Sequence, residues 1–209
     1  YKEINKLDES IENLNEAIKI NKNFYNAYHN RAVVKRLLFR FEDAIKDFDE
    51  ALKINPKYFD SLFFKAITQL KIGDYENGWK NYEYRWETTN FPSPKRKFIQ
   101  PCWNGTDNLN DKIILLHGEQ GLGDNIHFSR YFSLIKSKAK KTILQIDKKL
   151  VQLFKDSNFG NYIFSNDEEL PNFDIHCPLL SLPYKFSTTL NNIPFNDKYL
   201  FPSEDRISR

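Results

Sequence analysis

Through the first 88 positions apolar residues recur at intervals of three and four, the spacing that lines one face of a helix. Beyond about residue 110 the pattern changes to short continuous apolar runs at 113–116, 142–146, 161–164 and 173–176, bounded by turn-forming residues, which predicts short buried strands. Helical patterns lie between some of them, one opening at Asp124 and one over 148–155 with Leu150, Val151 and Phe154 on one side. Strands alternating with helices imply parallel pairing through right-handed crossovers, hence a doubly wound α/β layer. The stretch between the two regions, 89–110, has no period, holds three prolines and the turn-prone sequence NGTDN, and reads as a linker anchored by Trp103.

The helical region repeats itself. Ala17 and Ala51, Leu14 and Phe48, and Leu7 and Phe41 are each 34 residues apart, and the same step brings Tyr75, Gly78 and Tyr82 beneath Phe41, Ala44 and Phe48. Thirty-four residues is the tetratricopeptide period, and its Ala-x-x-x-Phe signature with a closing proline stands at Ala44, Phe48 and Pro56. Small residues at this slot, with Ser10 one repeat earlier, let paired helices approach closely. Residues 1–88 thus predict about two and a half repeats: half of one at 1–20, a full one at 26–55 and a third at 60–87. Arg31 and Lys35 depart from the leucine and tyrosine usual there. Since such arrays bury their faces only against neighbours, further repeats are expected before residue 1. One helix face of the full repeat presents Asn26, His29, Val33 and Arg36, a mixed groove suited to an extended peptide. Two plainer readings stand beside it: a spacer without a ligand, and a His29 that only packs. Trp79, Tyr82, Tyr84 and Trp86 have helical spacing, which favours core over a sugar-stacking platform and predicts that they join the last repeat to the next domain.

The second region is organised by 111–136, read as DKIILLHGEQGLGDNIHFSRYFSLIK. A strand stops at Gly118, Gly121 and Gly123 and a helix follows, an order that aims unpaired amides at a ligand and lets the backbone approach it closely. The phosphate loop of ATPases is excluded, because Asp124 and Asn125 follow the last glycine in place of Lys and Ser or Thr. The dinucleotide fingerprint fits at Gly121 and Gly123 but meets Ile126 at its third glycine. Asp147, roughly 20 residues on at the end of the next strand, keeps a ribose-binding enzyme in play. In sheets of this class ligands lie at the carboxyl ends of the strands, which selects Gly118, Glu119, Gln120, Gly121, Leu122 and Gly123 as binding candidates, with His117 at the strand end. Asp124 is either a general base or a helix cap. His127 shares its helix face and Arg130 lies a further turn on; His127 either touches ligand or packs. His176, in the corner FDIH, more readily plugs the sheet than reacts.

HGEQGLGDNIHFSRYF resembles the start of the glycosyltransferase domain in bacterial proteins that carry tetratricopeptide repeats before a GT-B transferase, and more distantly the first loop of heptosyltransferases. WNG at 103–105, FDIHCPLLSLP at 173–183 and IPFNDKYL at 193–200 fit the same family. The resemblance implies an α-solenoid followed by α/β: one Rossmann-like half of a GT-B fold over 111–200, and the first part of an inter-domain segment at 201–209. It implies inverting transfer of a sugar from a nucleotide-sugar co-substrate to a protein or glycan acceptor, with Asp124 as base on the acceptor hydroxyl. It also implies that donor contacts lie in a second half downstream, so that these 209 residues are a fragment, inert alone.

Composition narrows the alternatives. With 31 basic and 28 acidic residues the net charge is +3, a mixed surface without a nucleic-acid footprint; Lys95, Arg96 and Lys97, the densest basic run, read as solvated loop. Two distant cysteines, Cys102 and Cys177, make neither a disulfide framework nor a zinc module and point to a reducing, cytoplasm-like compartment. No apolar run reaches the roughly 18–20 residues of a membrane span. No His, Cys, Asp or Glu spacing makes a metal site, and no cofactor is expected. A repeat scaffold with a non-catalytic α/β part is the competing function.

Overall fold

The computed structural model describes residues 2–89, 91–157, 159–194 and 198–201, and only the backbone of residues 2–5. It divides into two compact units, residues 1–91 and 92–209.

The first unit is helical: α1 (Lys2–Ile20), α2 (Tyr25–Leu37), α3 (Phe41–Ile54), α4 (Phe59–Ile72) and α5 (Tyr75–Tyr82), each packed on the next, then a 3-10 turn over Glu83–Glu87. Ala27, Ala32, Ala44, Ala51 and Ala66 are buried, and their size lets the helices close around Phe48, with Val33 and Phe64 packed against that cluster. Gly78 fills the equivalent slot on α5, where even a methyl group would lie 2.7 Å from Leu70 Cδ2. The departures at Arg31 and Lys35 have one cause. Asp47 on α3 is 4% exposed, and it accepts from Arg31 Nε at 2.8 Å and Nη2 at 2.6 Å and from Lys35 Nζ at 2.7 Å. A carboxylate buried there is tolerated only with cations from the neighbouring helix. The aromatic stripe has a similar task. Arg85 is fully buried, its guanidinium 5.1 Å from the Tyr82 ring and 4.6 Å from that of Trp86, with Glu83 Oε1 at 2.9 Å.

The turns leaving α2 and α4 occupy equivalent positions, 34 residues apart, and both are left-handed: Phe39 at φ 58 and Gly73 at φ 88. Glycine holds that conformation freely; phenylalanine does not. The Phe39 ring is 76% exposed and touches Phe41 edge-on at 5.9 Å, too little burial to offset the strain.

The second unit is built on a four-stranded parallel sheet in the order β3-β2-β1-β4, with β1 (Ile113–His117), β2 (Lys141–Ile146), β3 (Ile163–Ser165) and β4 (Ile175–Pro178). α6 (Leu122–Phe128), a 3-10 turn over Ser129–Tyr131 and α7 (Phe132–Lys136) connect β1 to β2, and α8 (Lys148–Asp156) connects β2 to β3. Both steps run the same way, so right-handed crossovers put these helices on one face, that of Ile114, Leu116, Leu144 and Ile146. After β4 come a 3-10 turn and α9 (Leu182–Lys185). The opposite face, with Leu115, His117, Ile143, Gln145 and His176, differs from the doubly wound expectation. From residues 92–103, expected as a linker, Phe98 packs on this face against the rings of His117 (5.5 Å), His176 (4.9 Å) and Phe173 (5.3 Å), and Cys102 pairs in parallel with His176 on the free edge of β4. Trp103 is buried, donates from Nε1 to Asp107 O at 3.1 Å and lies 5.8 Å from Phe186. Cys102 is exposed, Cys177 buried, and they are not bonded to each other. Among the described residues no helix is long and apolar enough to cross a membrane. Of the segment expected at 201–209, all but Phe201 lies outside the described residues.

Two substitutions test this packing. Phe39→Gly is expected to stabilise the protein by about 1 kcal/mol, the relief of left-handed strain exceeding glycine's entropic cost, as read from urea unfolding. Asp47→Ala is expected to destabilise it by about 3 kcal/mol, because Arg31 and Lys35 are left part-buried without a counter-charge; a loss under about 0.5 kcal/mol refutes the account.

Candidate functional site

On the repeat unit, the four nominated α2 residues are not equivalent. His29 is 7% exposed; its Nδ1 bonds Ser61 Oγ at 2.8 Å, and the rings of Phe48, Tyr58 and Phe64 surround it at 5.6, 5.0 and 5.5 Å. It packs α2 against α4 and is closed to a ligand. Burial holds its pKa below the usual value, helped by Arg36 and opposed by Asp60. Val33 packs against the core cluster, and Asn26 is half-buried. Arg36 is half-buried with its guanidinium 5.2 Å from the Phe64 ring centroid.

At the carboxyl end of β1, the helix opens at Leu122, two residues before Asp124, with Gly121 as N-cap. Asp124, the third helical residue, reaches back and accepts from Gly121 N–H through Oδ2 at 3.0 Å. Glycine has no side chain to reciprocate, so this is half of a capping box. Asp124 is half-buried, and Oδ1 has no hydrogen bond among the described residues. The carboxylate therefore caps its helix and keeps an oxygen open.

The glycines do less than their number implies. Gly121 is extended at φ −87 and ψ 174, Gly123 has open space where a Cβ would stand, and the left-handed residue of the loop is Gln120 at φ 58. Only Gly118 is sterically required: an added Cβ would lie 1.8 Å from Asn125 Oδ1. Asn125, 3% exposed, donates from Nδ2 to Gly121 O at 2.7 Å and so pins the loop from inside. Glu119 is buried, Leu122 and Gly123 are exposed, and His127 is exposed with its ring on Phe128 at 4.8 Å. Partial burial and then Arg130 push the His127 pKa down, against Asp124. Arg130 turns its Nε to His127 O at 3.0 Å. His117 Nε2 and His176 Nδ1 are 3.2 Å apart. Asp147 caps α8, accepting from Lys149 N–H at 2.9 Å, which accounts for it without a ribose.

Sequence reading passed over the residues that cover this rim. Ser93 Oγ accepts from Gln120 N–H at 2.6 Å, and Arg96 donates to Gln145 Oε1 and, at 2.8 Å, to Asn166 Oδ1, so it ties the ends of β2 and β3 together. Arg96 is half-buried, and that burial, opposed by Glu119, lowers its pKa. Pro92, Pro94 and the basic run gave no strand or helix signal; Phe98, the one large apolar side chain facing in, was the available cue. Among the described residues no group of three or more His, Cys, Asp or Glu could hold a metal ion.

Burial depresses the pKa of His29 and of His176. Both are neutral in the folded chain at a pH where the unfolded chain already binds protons, so stability is full above the unfolded value of about 6.5 and falls as pH drops through it. Urea midpoints are expected to fall between pH 7.5 and 5.5, with a shallower slope in His29→Asn; a midpoint that rises on acidification contradicts the assignment.

The comparisons bear on the first unit. The family model described as tetratricopeptide repeat matches residues 25–58, and a second of the same description matches 1–24. None of the curated proteins matches this chain. Among solved structures, the TPR2B-domain:pHsp70-complex of yeast Sti1 is similar at 23% identity over 40% of this chain and 67% of that one, with a TM-score of 0.37. Residues 1–58 are tetratricopeptide repeats.

Proposed function

We propose that this chain joins a protein-recognition repeat array to the acceptor-side half of an inverting GT-B glycosyltransferase, which moves a sugar from a nucleotide-sugar donor to a protein or glycan acceptor. The observation that carries the reading is Asp124: a half-buried carboxylate at the carboxyl end of a parallel strand, with Oδ2 spent on Gly121 and Oδ1 open. In that role the open oxygen takes the acceptor hydroxyl's proton as the oxygen attacks the anomeric carbon and the nucleotide diphosphate leaves. Asn125, which fits against Gly118 and donates to Gly121 O, fixes the loop from which Gln120 and Leu122 face the acceptor. The repeats recruit the partner that carries the acceptor. Residues 92–98 favour a second reading, a repeat scaffold with a non-catalytic α/β unit, because Ser93, Arg96 and Phe98 cover the strand ends where a substrate would enter.

Sugar transfer from nucleotide-sugar donors, assayed with the complete gene product, separates the two. Asp124→Asn keeps an acceptor for the Gly121 amide and is expected to lower kcat by about 100- to 10,000-fold with little change in stability. Unchanged turnover removes Asp124 from the chemistry, and no transfer by the wild type selects the scaffold.

A further inference from the structure

A cavity of about 180 Å³ opens on the helix side of the sheet, between α7, the carboxyl end of α8 and residues 198–199. Arg130, Lys136 and Lys198 line it, and among the described residues no acid does. None of the three has an ion pair among the described residues. Arg130, Ser133 and Lys136 follow at intervals of three, the spacing that puts them on one side of the helical turns. Arg130 is held in place: its Nε donates to His127 O at 3.0 Å and its guanidinium lies 5.5 Å from the Tyr199 ring centroid, which leaves both terminal nitrogens for another acceptor. Lys136 Nζ comes within 3.9 Å of where a Cβ on Gly160 would stand, so its ammonium crosses to the chain that leaves α8. Lys198 arrives on a segment pinned at two points, where Tyr199 Oη donates to Ile126 O at 2.9 Å and Phe201 N donates to Ser157 Oγ at 2.7 Å. Ser133 Oγ has no hydrogen bond among the described residues. Asp156, the acid beside Ser157 in the chain, is outside the lining and accepts from Gln152 Nε2 at 2.7 Å.

We infer that this cavity binds one phosphate group, free or as the monoester of a small molecule. Three positive charges around one concavity repel one another, and a phosphate carrying about −1.5 to −2 at pH 7 removes that cost. Arg130 supplies the planar fork that fits two phosphate oxygens, the two ammonium groups act as point charges, and Ser133 adds a neutral donor. The volume limits the ligand: pockets for drug-sized molecules begin at roughly 300 Å³, so this one encloses a tetrahedral anion and not the base and ribose of a nucleotide. Asp124 is not among the lining residues, and the site is independent of transfer chemistry there.

The test titrates the whole chain, in phosphate-free buffer, with inorganic phosphate and separately with glycerol 3-phosphate. Saturable one-site binding with a Kd of about 1 mM is expected by calorimetry for at least one of them, with amide chemical-shift changes at Ser133, Lys136 and Lys198 that locate it without any variant. Tighter binding of the ester identifies an organic phosphate as the ligand; equal or tighter binding of the inorganic ion identifies free phosphate. Arg130→Gln is expected to weaken binding by about 10-fold, and Lys136→Gln combined with Lys198→Gln by about as much. Both lysines are exposed, so the double variant is expected to melt at the wild-type temperature. Failure of both anions to saturate the protein overturns the inference, as does undiminished binding by the double variant or a set of shifts confined to other residues.

Discussion

One carboxylate sets the terms for the repeat unit. Asp47, enclosed between α2 and α3, is met by Arg31 and Lys35 of α2 through three short contacts, which offset the cost of burying its carboxylate. The two residues that break the repeat pattern are thus a matched response to a third, and they tie the α2–α3 pair by charge. Arg85 follows the same rule at the end of the unit, sheltered by Tyr82 and Trp86 and paired with Glu83. Arg36, half-buried over the Phe64 ring, has no acidic partner among the described residues.

The α/β unit is held at the carboxyl-end rim of its sheet by hydrogen bonds. Asn125 occupies the space a side chain at Gly118 would need, Asp124 closes the first turn, and Ser93 and Arg96 bind the preceding segment over the strand ends. These contacts order the loop, and they also stand in the way of a ligand. Transfer chemistry at Asp124 therefore requires a substrate that approaches past 92–98 or displaces it, whereas a scaffold needs neither.

Reading the glycines illustrates how chemistry inferred from residue type can be right in place and wrong in cause. The loop lies at the end of β1 as its composition implies, yet its left-handed turn falls on Gln120, and Gly123 faces open space. Gly118 is needed for a reason no local pattern contains, the packing of an amide seven residues later. His29 shows the converse: its position on the nominated face was legible, and its enclosure by Tyr58, Ser61 and Phe64 from α4 and the turn before it was not.

The sequence alone determined the 34-residue repeat, the close-packing alanines, the parallel strands and the strand-loop-helix order around Asp124, because each depends on periodicity or on neighbours within a turn or two. Tertiary structure decided which charges are matched, which of the nominated α2 residues is enclosed, and that Phe98 packs on the sheet while Cys102 pairs with the edge of β4. Those outcomes hang on contacts between residues as far apart as Arg96 and Asn166, and pairing at that distance leaves no trace in local spacing.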